Sequence, residues 1–325
     1  MEKINKNPRL LYIDQLKGFA ILLVVIGHVS LFCGGSDGVI YDCICLFHMP
    51  LFFLLSGLVT RQIEENKVSY LLKKMRVILI PFVVWGGLMA MFKNETLFEL
   101  LADFMKGGYW FLWVLFEFYI FHIICDGLSK IINKKSILLI DLGMLLLLYI
   151  MLKIGYHFIT EYQNNVVGYL HWICYLPYFM GGVLIKKYDL VERILSSGLL
   201  YTIAFFTLLV ITIFDIHFAN IGFVIASSII IIIGGFFCQV PSNLITDRLA
   251  FIGRHTLGIY VIHYFLLPYI YIVPILKLLI GTCNYIVEAV LLVFISIVIC
   301  ILCILAEQFL QCNKYLSVIF LGRNK

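Results

Sequence analysis

Long apolar stretches separated by short polar segments run through the whole chain. Stretches of roughly eighteen or more apolar residues recur, which is the length a helix needs to cross a bilayer. The predicted spans are 15–33, 43–60, 77–92, 109–125, 136–156, 168–185, 196–215, 221–238, 251–273 and 285–306. The pattern therefore predicts an all-α fold, a polytopic membrane helical bundle of about ten transmembrane helices.

Composition supports the membrane assignment. The 325 residues are 62% hydrophobic and only 13% charged, more apolar than a soluble core requires. No internal repeat and no linker rich in Pro, Gly or Ser is visible. We therefore expect one membrane domain over residues 1–325, with its transmembrane part over roughly 15–306 and short tails at both ends.

The basic residues predict the orientation of the chain. The net charge of +5 does not indicate nucleic-acid binding, because most of the 24 Lys and Arg residues fall in alternate connections between the predicted helices. These connections are the residues before 15 and the segments around 61–76, 130–135, 186–193 and 248–254, together with the residues after 306. Positive connections stay in the cytoplasm, so both termini are expected there, in a bacterial inner or plasma membrane.

Four titratable side chains are predicted to approach a similar depth from four different helices. His28 and His263 enter from the cytosolic side, and His48 and Glu117 from the opposite side. Ionisable groups inside a membrane are costly to bury and usually functional. The alternative is a polar network that only fixes the positions of the helices.

The first span carries a cation and a histidine on one face. Lys17 and His28 are eleven residues apart, so they project from the same side at ~16 Å along the axis. Asp14 stands one turn before Lys17 and could pair with it. The alternative is a lysine that reaches the membrane surface and a histidine bonded within the bundle.

Four short motifs in this order are similar to those of the acyltransferase 3 family, integral membrane proteins that acylate sugars and polysaccharides. They are Asp14-Gln-Leu-Lys17-Gly18 with His28, Phe47-His48-Met-Pro50 with Phe52-Phe53-Leu-Leu-Ser56-Gly57, Trp110-Phe111-Leu112, and Gly253-Arg-His-Thr256 with Tyr260 and His263. Thr256 stands where the family more often has Ser. The resemblance spans residues 9–263 and implies transfer of an acyl group to a sugar hydroxyl.

The resemblance implies that His28 is the catalytic residue and acetyl-CoA the donor. Whether His28 acts as a base or carries the acyl group stays open, and Glu117, His48 and His263 are candidates to orient it. The ~16 Å between Lys17 and His28 is roughly the length of the pantetheine arm, so Lys17 is predicted to hold the CoA phosphates. The other residues predicted at the donor are Asp14, Lys73, Lys74 and Arg76. The positive-inside rule alone would also explain the last three.

The expected acceptor is a glycan or lipid-linked sugar outside the cytoplasm, approached past Trp110. No metal site is predicted, because the ten cysteines lack zinc-type spacing. Expected partners are membrane lipid and the glycan, without nucleic acid. The rival function is a transporter or flippase of a small molecule or lipid-linked sugar, which would also use buried polar groups and broken helices.

Overall fold

The computed structural model of the chain describes residues 11–34, 38–60, 63, 66–133, 135–213, 221–271 and 285–323. All regular structure in these ranges is helical, which confirms the predicted all-α class. The α-helices are α1 Leu11–Gly34, α2 Val39–Cys45, α3 His48–Leu58, α4 Lys67–Lys74, α5 Ile80–Lys93, α6 Leu97–Ala102, α7 Trp110–Ile132, α8 Leu138–Tyr156, α9 Glu161–Val167, α10 Tyr169–Lys187, α11 Val191–Leu195, α12 Gly198–Ile213, α13 Gly222–Gln239, α14 Leu244–Arg254, α15 Thr256–Tyr271, α16 Tyr285–Cys312 and α17 Lys314–Leu321.

Seven helical segments of the described chain are long and apolar enough to cross a membrane. They are Leu11–Phe32, Val39–Leu58, Lys67–Lys93, Trp110–Ile132, Leu138–Tyr156, Gly222–Gln239 and Ile286–Cys312, with Gly198–Ile213 and Thr256–Leu267 as shorter apolar helices. These segments support an integral membrane protein. The count of about ten spans stays a prediction.

Two predicted spans are interrupted and a third begins well before its predicted start, while the helices over 109–125 and 285–306 continue to Ile132 and Cys312. The span predicted at 43–60 consists of α2 and α3, which meet at Leu46 and Phe47. The span predicted at 251–273 is interrupted at His255, whose φ of −107° and ψ of 13° end α14 before α15 begins. The span predicted at 77–92 begins ten residues earlier, at Lys67, because α4 runs into α5 through a π-helical turn, Met75–Leu79.

Some sequence predictions concern residues outside the described ranges. These are the basic residues before α1, Arg61, Lys134 and Lys325, the ends of the spans predicted at 196–215 and 251–273, and the segment between α15 and α16.

Short helices between the long ones begin at polar caps. The side chains of Thr96, Thr160 and Asn243 each accept a hydrogen bond from the backbone three residues ahead, in capping boxes completed by Glu99, Gln163 and Thr246. Such caps satisfy backbone donors that a helix start leaves unpaired. Local sequence therefore determines where α6, α9 and α14 begin.

The chain forms two compact units. Unit 1 comprises the described residues within 1–55, 192–259 and 269–304, and unit 2 comprises the described residues within 56–191, 260–268 and 305–325.

In unit 1, α1 and α14 cross in backbone contact. A Cβ atom on Gly18 would lie 1.9 Å from the carbonyl oxygen of Leu249, and one on Gly253 would lie 1.8 Å from that of Asp14. No side chain fits at either glycine, because each faces rigid backbone rather than a movable side chain. Small residues at such crossings let membrane helices approach closely. The crossing explains why both motifs contain glycine at these positions.

In unit 2, Gly57 has the same role on α3. A Cβ atom there would lie 2.0 Å from the carbonyl oxygen of Phe179 on α10.

A second connection joins the turn before α7 to α15. The Tyr109 hydroxyl donates to the Val261 carbonyl at 2.9 Å, and the Tyr260 hydroxyl donates to the Gly108 carbonyl at 3.0 Å. This reciprocal pair attaches α15 to the start of α7.

Candidate functional site

Helix α1 places Asp14, Lys17 and His28 on one uninterrupted helix. Asp14 is buried, and its carbonyl contacts Gly253 at the crossing with α14. Because Lys17 precedes Gly18 directly, the crossing also fixes the backbone position of the lysine. The continuous helix preserves the spacing of ~16 Å between Lys17 and His28 that the sequence predicts.

His48 is held by the carbonyl of Ile44, the residue whose side chain contacts α1. Its Nδ1 lies 2.7 Å from the carbonyl oxygen of Ile44. A carbonyl only accepts, so Nδ1 donates, and the neutral ring presents Nε2 as an acceptor. The Ile44 side chain reaches within 3.6 Å of a Cβ position on Gly27, the residue before His28. Ile44 thus contacts both the His48 ring, through its carbonyl, and the segment of α1 beside Gly27, through its side chain.

The basic residues predicted to hold the donor lie on helix rather than in a loop. Lys73 and Lys74 end α4, and Arg76 lies in the π-helical turn. The turn precedes Pro81, which has no N–H to continue the α-helical bonding, and a π turn is one way to absorb that loss. The Lys74 ammonium lies 3.6 Å from the centroid of the Tyr119 ring.

Glu117 and Trp110 lie on α7, within unit 2. The Glu117 carboxylate accepts a hydrogen bond from the indole N–H of Trp172 at 2.8 Å. Trp110 is buried and stacks on the His171 ring, with centroids 4.1 Å apart. His171 in turn stacks on Phe104 at 4.2 Å. The Trp110 ring is thus already in contact with protein rings rather than open to solvent.

His263 is fully buried on α15. Its ring centroid lies 4.5 Å from that of Tyr264 and 6.0 Å from that of Tyr260. The Tyr109–Tyr260 connection described above holds this part of α15. The motif tyrosine therefore has a clear structural role, which is to fix the helix that carries His263.

A buried lysine that the sequence does not single out lies near Glu117. The Lys106 ammonium is fully buried and donates to the carbonyls of Leu101, Asp103 and Asn165 at 2.8, 3.2 and 2.7 Å. Burial lowers the pKa of Lys106 to about 8, although the charges of Glu117 and Asp103 oppose that shift. Three carbonyls converging on one cation fasten the connection after α6 to the end of α9.

A second polar cluster also goes unrecognised in the sequence, where Asp141 receives no role. Asp141 accepts hydrogen bonds from Ser129, Asn133, Lys187 and Tyr188. Beside it, a cavity of about 40 Å³ is lined in part by His122, Asp126 and Cys125. The available signal is an Asp and a Lys near the ends of otherwise apolar helices, which tend to pair within a membrane protein.

The predicted site residues divide between the two units. Unit 1 holds Asp14, Lys17, His28 and His48, and unit 2 holds Lys73, Lys74, Arg76, Trp110, Glu117 and His263. Within unit 1, His48 contacts the carbonyl of Ile44, and the Ile44 side chain contacts α1 at Gly27. Within unit 2 it places Trp110 and Glu117 on α7 and connects the turn before α7 to the His263 helix. The catalytic and binding roles of these residues stay predictions.

Comparison with known proteins adds a family and two relatives. A family model described as an acyltransferase domain matches residues 10–305. Nodulation protein NolL of Mesorhizobium japonicum is 26% identical over 197 residues, which are 51% of this chain and 53% of that protein. Nodulation protein NolL of Sinorhizobium fredii is 32% identical over 126 residues, 34% of each chain. The chain thus aligns with about half or less of each relative. No solved structure gives a significant match.

Proposed function

The chain belongs to the acyltransferase family whose domain model matches residues 10–305, and from this membership we propose that it is a membrane O-acyltransferase. The proposed reaction moves an acetyl group from cytosolic acetyl-CoA to a hydroxyl of an extracytoplasmic or lipid-linked glycan. The observation that carries the proposal is α1 itself, an unbroken helix with a cation and a histidine on one face.

The geometry of α1 suits a CoA thioester. The distance of ~16 Å between Lys17 and His28 is roughly the length of a pantetheine arm. CoA phosphates near Lys17 would place the thioester beside His28. The Gly18–Gly253 crossing supports this assignment, because it fixes the backbone next to the phosphate-binding lysine. Lys73, Lys74 and Arg76 stay the further cations that the sequence predicts for the donor phosphates.

The reaction balances with His28 as a general base. The imidazole takes the proton of the acceptor hydroxyl while the hydroxyl oxygen attacks the thioester carbonyl. The C–S bond breaks, the ester forms, and the proton passes to the departing CoA sulfur. If His28 instead carries the acetyl group, its imidazole nitrogen first attacks the thioester, the C–S bond breaks, and CoA leaves with the imidazole N–H proton. The acceptor hydroxyl then attacks the acetyl-imidazole, the C–N bond breaks, and the hydroxyl proton returns to the imidazole. His48, whose Nδ1 donates to Ile44 and leaves Nε2 as an acceptor, is the candidate in unit 1 to orient His28.

Glu117 and His263 stay candidates to orient His28, and Trp110 is assigned to the acceptor side. Glu117 is already fixed by Trp172, and His263 by its buried position on α15. Because the Trp110 ring stacks on His171, we propose that it shapes the acceptor path and does not stack on a sugar ring.

The decisive experiment gives purified protein labelled acetyl-CoA and crude envelope glycan. Acetyl transfer to the glycan supports the proposal. Movement of an acceptor across the membrane without use of the thioester would support the rival transporter function instead.

Replacement of His28 tests the catalytic assignment. His28→Ala should reduce transfer by roughly 10²–10⁴-fold or more, because a group that acts in the transition state is lost. The measurement is the transfer rate at equal amounts of folded protein. His157→Ala is the matched control, since His157 is exposed at the end of α8. Activity of the His28 variant within about threefold of wild type would remove it from the site.

Replacement of Lys17 tests the donor assignment. Lys17→Ala should raise KM for acetyl-CoA more than it lowers kcat, and Lys17→Arg should retain more donor affinity because the charge persists. Lys93→Ala, at an exposed lysine, is the matched control. An unchanged donor affinity together with a lower kcat would contradict the phosphate-binding role.

Sealed vesicles test whether donor and acceptor meet from opposite sides. In right-side-out vesicles, acetyl-CoA trapped inside should acetylate an impermeant acceptor added outside, whereas external acetyl-CoA should not. Equal transfer from external acetyl-CoA, in vesicles shown to be intact, would contradict the proposed orientation.

A further inference from the structure

Helix α17 packs onto the segment of unit 2 that carries Arg76. It begins after Asn313, whose side chain accepts from the Tyr315 N–H, and it ends at Gly322 in the left-handed conformation, with φ of 63°. A Cβ atom on Gly322 would lie 2.0 Å from the carbonyl oxygen of Arg76 and 2.9 Å from Cα of Val77. Gly322 therefore lies directly against the backbone of the π-helical turn.

A second contact fixes the same helix one element further along. The indole N–H of Trp85 on α5 donates to the carbonyl of Phe320 at 2.8 Å. The Trp85 ring also packs against the rings of Phe320 and Phe265, each with its centroid 5.5 Å away. Helix α17 is thus attached to the chain on the carboxyl side of the π turn as well as at the turn itself.

An ion pair with a buried carboxylate holds the end of α17. The Glu307 side chain on α16 is fully buried, and its carboxylate accepts from the Arg323 guanidinium at 2.6 Å and from Gln311 at 3.0 Å. The Ser317 hydroxyl donates to the Arg323 carbonyl at 3.1 Å. A buried carboxylate needs its partner, so this pair is costly to break. Arg323 follows Gly322 directly, so the pair also fixes the glycine against Arg76.

The π turn depends on such support. A π-helical turn is less favourable than continuous α-helix and is found mostly as a single turn at functional sites. Here the turn carries Arg76, a residue assigned to the donor under the proposed function. We propose that Gly322, Trp85 and the Arg323–Glu307 ion pair are positioning residues of the donor site: they hold the π turn so that Arg76 meets the CoA phosphates. This inference rests on the proposed function.

Donor kinetics test the inference in the full chain reconstituted in lipid. Arg323→Ala should raise KM for acetyl-CoA by roughly three- to tenfold and leave kcat within about twofold. Arg323→Lys should restore part of the affinity, since a cation again faces Glu307. Tyr315→Ala is the matched control, because Tyr315 is 77% exposed on the same helix. Trp85→Phe retains ring packing and loses one hydrogen bond. It is therefore the variant whose KM is measured if Arg323→Ala does not accumulate.

A double-mutant cycle separates positioning from general stability. If α17 acts through Arg76, Arg323→Ala or Trp85→Phe should raise KM in the wild-type background and have little further effect when Arg76 is already Ala. Additive effects on KM would overturn this inference and leave the proposed function intact. The same holds if Arg76→Ala raises KM while both Arg323→Ala and Trp85→Phe keep the wild-type KM. An unchanged KM in Arg76→Ala would instead refute the donor role of Arg76 under the proposed function, and the positioning role with it.

Discussion

Helices α1 and α8 have similar hydropathy and opposite surroundings. The apolar segment of α1 has a mean hydropathy of 1.8, and 61% of its residues are buried. That of α8 has a mean hydropathy of 2.1, and 6% of its residues are buried. Hydropathy measures how readily a segment enters lipid and does not report whether protein then surrounds it. In lipid, apolar side chains gain little by leaving the hydrocarbon for the protein interior.

Small and polar residues distinguish the two helices. Helix α1 buries Asp14 and Ser30 and places Gly18 against the backbone of α14. The buried residue of α8 is Asp141, whereas four of its leucines are exposed, namely Leu139, Leu142, Leu146 and Leu147. The comparison indicates that the protein-facing side of a membrane helix is marked by its polar and small residues, while its apolar residues are found on either side.

The strongest test of the comparison exchanges one glycine for alanine on each helix. Gly18→Ala should prevent accumulation of folded protein, a loss of more than about 4 kcal/mol, because the methyl group would meet the Leu249 carbonyl. Gly143→Ala on α8 meets no atom within 4 Å and should be neutral or gain up to about 1 kcal/mol from helix propensity. Yield and thermal midpoint in detergent measure both. Similar behaviour of the two variants would break the comparison.

The next effect should come from the single buried residue of α8. Asp141→Ala removes the acceptor of four hydrogen bonds and leaves Lys187 without its carboxylate. We expect a loss of roughly 3 kcal/mol, the low end for a broken buried pair, because the Lys187 side chain is 26% exposed. Thermal unfolding compared with Asp141→Asn, which retains the shape, measures it. A loss below about 1 kcal/mol in the free energy of unfolding would show that the apolar residues of α8, and not Asp141, account for most of its stability.

The last test contrasts apolar residues on the two helices. Ile21→Ala on α1 should cost roughly 2–5 kcal/mol by leaving a cavity, since Ile21 is fully buried. Leu147→Ala on α8, at a side chain 64% exposed, should change stability by no more than ~0.5 kcal/mol. Thermal midpoints of both variants in one lipid give the comparison. Equal losses would mean that hydropathy, and not surroundings, sets the contribution of each residue.

The sequence predicts the fold class and the helical course of α1 well. Apolar length identifies the long helices because every backbone polar group must be bonded internally within lipid. It does not locate the break at His255, since His255 is flanked by residues that suit helix on both sides. Nor does it show that the predicted 77–92 span begins at Lys67, because the lysines of α4 are typical of a loop at a membrane surface.

The candidate site is only partly predictable for a related reason. Spacing on one helix places Lys17 and His28, since helical geometry is local. The hydrogen-bond partner of Glu117 is on a segment distant in sequence, and those of His48 and Lys106 are backbone carbonyls. No side-chain pattern reveals either kind of partner. Gly18 and Gly253 are visible in the motifs, but their mutual packing becomes apparent only when α1 and α14 are seen to cross.

The π turn at Met75–Leu79 amounts to a one-residue phase shift in the helix from Lys67 to Lys93. Each residue advances an α-helix by about 100°, so the single extra residue rotates everything before the turn by about that angle relative to everything after it. A helical wheel drawn through the whole segment would therefore assign Lys73 and Lys74 to the wrong side of α5. Deleting one residue within the turn would bring the two halves into one phase and turn the lysines of α4 by a little over a quarter circle.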